Sequence, residues 1–112
     1  MSLSYHQQRF AQDIAKLITF IYSQNYACTL GEAFRTPEQA EIYAQKGIGI
    51  KNSQHCRRLG CDINLFSPEG KYLTDSKDYE PFGIYWESLD PLNKSGCFFQ
   101  RMKDGNHFER RA

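Results

Sequence analysis

From Ser4 to about Gln24 the apolar residues Phe10, Ile14, Leu17, Ile18 and Ile21 recur at steps of three and four, the spacing that gathers side chains on one face of a helix. The pattern predicts an amphipathic helix laid on a core and ended near Asn25. Tyr26 to Phe34 is short, apolar and tolerant of extended backbone. It leads into Thr36-Pro37-Glu38-Gln39, which offers an N-cap, a proline at the first helical position and a capping-box glutamine. A second helix is expected from Pro37 to about Gln45, stopped near Gly47.

Gly47 to Ser53 holds two glycines, an asparagine and a serine among few apolar residues, and predicts a loop that carries polar groups towards a site. Leu59 to Phe66 predicts a strand. Ser67-Pro68-Glu69-Gly70 is a turn, Lys71 to Leu73 a candidate short return strand, and Tyr79 to Leu89 holds a third helix around Ile84, Tyr85 and Leu89. The last third alternates turns with the short apolar pieces Cys97 to Met102 and His107 to Arg110. There is no internal repeat, low-complexity tract or linker.

At 112 residues, 40% hydrophobic and 14% aromatic, residues 1–112 have the size and apolar content of a single domain with one modest core. Fourteen basic and thirteen acidic residues leave a formal charge of +1, so the electrostatic footprint of a nucleic-acid binder is missing. No apolar run reaches the roughly 18 residues of a membrane span, and Met1 to Phe20 lacks the order of a signal peptide. The expectation is a chain made in the cytosol, with Cys28, Cys56, Cys61 and Cys97 reduced and mostly buried.

His55, Asp62 seven positions on and His107 far downstream are good metal ligands. Two imidazoles and a carboxylate suit zinc and leave a fourth tetrahedral position for water, as catalytic sites do. On one flat strand residues seven apart point to opposite faces. A bend is therefore required between His55 and Asp62, and Arg57 to Gly60 is its expected place. Cys56 and Cys61 flank the ligands, so a non-catalytic site of mixed cysteine and histidine competes. Their spacing fits a zinc knuckle poorly, and Cys61, next to Asp62 on a strand, is expected to face away from the metal.

Ser53-Gln54-His55 followed by Asp62 resembles the S-x-H-x6-D signature of the zinc peptidases typified by D-alanyl-D-alanine carboxypeptidases and L-alanyl-D-glutamate endopeptidases. Gly31 to Gln39, with its arginine and glutamine, looks like the upstream segment of that family, and Asp104-Gly105-Asn106-His107-Phe108 looks like its closing D-x-x-H-F motif. The three motifs stand in the family's order, and the short phage-encoded forms are the most similar. Many members carry glycine three residues after the first ligand and alanine five after; this chain has Arg58 and Gly60.

The resemblance implies an α+β fold, with helices packed on a small, largely antiparallel sheet of the Hedgehog and D,D-peptidase type. It implies zinc held by His55, Asp62 and His107, with Asp104 as general acid and base. Arg35 would stabilise the oxyanion or hold a substrate carboxylate, Ser53 would hold the loop or the first ligand, and Gln39 would support Arg35. The implied activity is hydrolysis of peptidoglycan stem peptides, as in a phage lysis enzyme that acts on the wall after release; a monomer with no nucleic-acid partner and no membrane span is expected. The alternatives are an inactive zinc-stabilised module that binds wall peptides or a protein, and a virion protein stapled by zinc. Tyr85, Trp86, Phe98, Phe99 and Phe108 are assigned to the core before the cleft, and His6 to the surface.

Overall fold

The computed structural model describes residues 1–47 and 53–112. The polar loop expected between Gly47 and Ser53 therefore lies, over residues 48–52, outside the described residues. The chain is α+β. Helix α1 (Leu3–Ser23), strand β1 (Ala27–Leu30) and helix α2 (Pro37–Gln45) are followed by β2 (Gly60–Phe66), α3 (Glu80–Leu89), β3 (Asn93–Ser95) and β4 (His107–Arg110). The strands form one antiparallel sheet in the order β1-β2-β4-β3.

The apolar spacing that predicts α1 becomes its buried face: Leu17 and Ile21 are fully buried and Phe10 nearly so. They meet Phe82 and Trp86 of α3 and the inward residues of the sheet in one core. On β2, alternate side chains divide between faces. Cys61, Ile63 and Leu65 enter the core with Phe108 of β4, while Asp62 takes the opposite side. The cysteines are all free, two buried and two, Cys28 and Cys56, only half-buried. Trp86 Nε1 donates to Glu109 O at 3.0 Å, which pins β4 to the core helix.

Helix α2 begins as its caps predict. Thr36 Oγ accepts from Gln39 N–H at 3.1 Å, and Pro37 opens the helix. Between His55 and Asp62 the chain bends through a 3-10 turn, Gln54–Arg57, and Arg58 ends it with φ 57° and ψ 35°. Glycine reaches this left-handed conformation with less strain. Arg58 adopts it with its guanidinium 4.3 Å above the Phe34 ring.

Three expectations change. Lys71 to Leu73 makes an isolated bridge, Tyr72 with Phe66, rather than a strand. Asn93–Ser95 is a strand despite its polar sequence, because its backbone pairs with β4 and its buried side chains find partners: Asn93 Nδ2 donates to Asp13 Oδ2 and to Trp86 O, both at 3.1 Å. His6 is half-buried rather than a free surface residue, since the buried Arg110 needs acceptors and donates through Nε to His6 Nδ1 at 3.2 Å.

After β3 the chain passes under the segment that precedes β4. Asp104 N–H donates to Gly96 O at 3.1 Å. A Cβ on Gly96 would stand 2.0 Å from Asp104 O, so only glycine allows this approach. Gly96→Ala must displace backbone, and is expected to destabilise the protein by about 3 kcal/mol, the upper end for overpacking. Urea denaturation should show a lower midpoint at an unchanged m value; a wild-type midpoint would contradict the close approach.

Candidate metal centre

The register of the sheet sets Asp62 on β2 directly opposite His107 on β4. Gly31 and Glu32 run beside the same point: Gly31 N–H donates to Asp62 O at 2.8 Å, and Asp62 N–H to Glu32 O at 2.9 Å. The 3-10 turn then folds His55 over the strand. Ser53 Oγ accepts from His55 N–H at 3.2 Å, and His55 O accepts from Arg35 N–H at 3.2 Å. Gly60 makes the fold-over possible, since a Cβ there would lie 3.1 Å from both His55 N and His107 Cε1.

His55, Asp62 and His107 are thereby gathered, one ligand atom of each lying within 4.8 Å of the others. His55 Nε2 and His107 Nδ1 are each 3.2 Å from Asp62 Oδ1. Ligand separations of about 3.3 Å follow from zinc–nitrogen lengths near 2.0 Å and a tetrahedral angle. The two edges that meet at Asp62 match that figure, and the donor set of two imidazoles and one carboxylate suits zinc. No cysteine belongs to this group: Cys61 faces the core, and Cys56 Sγ is 3.9 Å from Thr36 O.

The charges in the group reinforce each other. Burial would raise the Asp62 carboxyl, but hydrogen bonds from His107 and His55, and their charge, hold it down at about 2. Burial would lower His107, yet hydrogen bonds to Asp62 and Glu109, with the charges of both, push it up to about 9. A metal ion held by His107 would have to displace a proton from this imidazole.

Beside the group opens a cleft of about 750 Å³, lined among others by His55, His107, Asp104, Arg35, Phe98 and Phe99. Asp104 is exposed to it, and Asp104 O accepts from His107 N–H at 2.9 Å in the turn that leads into β4. Loss of water contact and the Asp62 charge raise the Asp104 carboxyl above its ordinary value, against the pull of His107, His55 and Arg35. Arg35 donates through Nε to Glu32 Oε1 at 2.6 Å and lies 4.9 Å above the Tyr43 ring. Gln39 is half-buried in the first turn of α2, and among the described residues the Arg35 guanidinium is contacted by Glu32 and Tyr43. Of the five aromatics weighed for the cleft, Phe98 and Phe99 line it, whereas Trp86 and Phe108 are core and Tyr85 packs against the core.

Two carboxylates escaped the sequence reading. Glu109 Oε1 lies 2.7 Å from His107 Nε2, and Glu32 Oε1 lies 3.7 Å from His55 Nδ1. For Glu109 a signal existed, since on a strand the residue two beyond a ligand shares its face.

No family model matches the chain, and no curated protein matches its sequence. Among solved structures the chain is similar to the L-Ala D-Glu endopeptidase ChiX of Serratia marcescens, with a TM-score of 0.63. The two chains share a fold. Identity is 17%, over 75% of this chain and 66% of that one, so the match spans about two thirds of the length of ChiX. No helix among the described residues is long and apolar enough to cross a membrane.

Proposed function

We propose that the chain is a zinc-dependent peptidase that hydrolyses peptide bonds in the stem peptides of bacterial peptidoglycan, acting as a phage or prophage lysis enzyme. The observation that carries this reading is the convergence of His55, Asp62 and His107 beside Asp104 in an open cleft, on a fold shared with an endopeptidase whose name specifies L-Ala D-Glu. His55, Asp62 and His107 would hold the ion. When bound, zinc makes a coordinated water acidic, with a pKa of about 7, and polarises the scissile carbonyl.

The remaining work falls to the chain's own groups. Asp104 stands in the cleft with a raised carboxyl, suited to take the proton of the attacking water and return it to the departing amine. Water oxygen thus joins the carbonyl carbon as the C–N bond breaks. Arg35, held by Glu32 and stacked on Tyr43, presents a fixed guanidinium to a substrate carboxylate or to the charge that develops on the carbonyl oxygen. Ser53 fixes the backbone of His55 through its hydroxyl. Phe98 and Phe99 give the wall of the cleft an apolar surface.

The test is digestion of purified peptidoglycan by zinc-loaded protein, followed by mass spectrometry of the released fragments. One zinc per chain is expected, with new termini at L-Ala-D-Glu or loss of terminal D-alanine according to the bond cut. A protein carrying a full equivalent of zinc that releases nothing from the common wall chemotypes would overturn the enzymatic reading and leave a binding module.

A further inference from the structure

An imidazole offers a lone pair to a metal only from the nitrogen that carries no proton, so the partner of the far nitrogen decides which one is the ligand. At His107 that far nitrogen is Nε2, and Glu109 Oε1 is 2.7 Å from it. Glu109 is only 7% exposed. Buried carboxylates are costly unless both oxygens are partnered, and here both are: Oε2 accepts from Arg111 Nε at 2.5 Å. The Arg111 guanidinium in turn lies 5.3 Å above the Phe99 ring. The backbone of Glu109 is tied as well, its carbonyl accepting from buried Trp86. Strand β4 thus carries a ligand and its support on one face, two residues apart.

His55 is turned the other way and held more loosely. Its Nε2 faces Asp62, while Nδ1 is buried without a hydrogen bond among the described residues, 3.7 Å from Glu32 Oε1. That separation is beyond hydrogen-bond range. Glu32 is instead engaged by Arg35 at 2.6 Å. The two imidazoles therefore offer different nitrogens and differ in the firmness of their support.

We propose that Glu109, braced by Arg111, is the positioning residue of the metal centre: it accepts the Nε2 proton of His107 and so fixes Nδ1 as the metal donor. The inference rests on the zinc reading. It also ranks the two carboxylates, since loss of Glu109 removes a formed hydrogen bond and loss of Glu32 removes none to His55.

The experiment measures zinc affinity by competition with a chromogenic chelator, and the protonated nitrogen of each histidine by long-range ¹H–¹⁵N correlation spectroscopy of the zinc-loaded protein. Glu109→Ala is expected to weaken zinc binding about ten- to a hundredfold, the usual worth of such an outer partner. Glu109→Gln, whose amide oxygen still accepts from Nε2–H, should recover much of the loss, and Glu32→Ala should lose less than Glu109→Ala. In wild type the proton of His107 is expected on Nε2 and that of His55 on Nδ1. Wild-type zinc affinity in a folded Glu109→Ala, or coordination of His107 through Nε2, overturns the proposal while the zinc reading stands. Absence of zinc binding by wild type overturns both. Should Glu109→Ala not fold, the glutamine variant and the wild-type spectrum decide.

Discussion

Replacing His55, Asp62 or His107 by alanine is expected to abolish peptide release from peptidoglycan and to strip zinc from the protein. Each change removes one of the three donors proposed for the ion, and Asp62 is the central one, its Oδ1 being 3.2 Å from both imidazole nitrogens. Asp62→Ala also acts on the metal-free protein. With its folded value held at about 2, below the ordinary 3.8, Asp62 contributes stability that is present above pH 3.8 and lost as pH falls through about 2. His107, raised from 6.5 to about 9, contributes stability that is full below pH 6.5 and lost as pH rises through about 9. Thermal unfolding of the metal-free proteins should therefore show the larger gap between wild type and Asp62→Ala near pH 6 and the smaller one above pH 9. Elemental analysis and fragment release complete the measurement; any single variant that keeps wild-type zinc content removes its residue from the ligand set.

Asp104→Asn is expected to keep the fold and the zinc, yet lower turnover by about two to four orders of magnitude, the range of general acid and base catalysis. The bonds that hold Asp104 in place are backbone bonds, its N–H to Gly96 O and its carbonyl to His107 N–H. Asparagine leaves both intact and matches the side chain in size. What it cannot do is take a proton from water. Rates of fragment release at equal zinc loading separate the roles: a residue that merely shapes the turn before β4 would leave the rate unchanged, and such a result would strip Asp104 of its catalytic assignment.

Much of this protein is local in origin. Helix α1 is written in the three- and four-residue recurrence of Phe10, Ile14, Leu17 and Ile21, because a helix turns every 3.6 residues whatever packs on it. The start of α2 is written in Thr36 and Pro37, whose capping acts within one turn. The bend between His55 and Asp62 follows from the alternation of a strand, and the three candidate ligands from their chemistry joined to the motifs in which they stand. By itself the sequence determined these elements and the candidate ligands.

Tertiary structure decided the rest. Asn93–Ser95 has no apolar alternation, and becomes a strand only because β4 pairs with it and Asp13 and Trp86 accept from Asn93. Arg35 could be placed near the site from its segment, but its engagement with Glu32 and Tyr43 depends on how the chain after β1 passes the turn at His55. The nitrogen that each histidine turns to Asp62, and the burial of Glu109 behind His107, depend on the register that sets Asp62 against His107, 45 residues apart. Periodicity and capping act within a turn or a strand, whereas register and side-chain pairing across such distances are settled only when the core on the far side of the sheet closes.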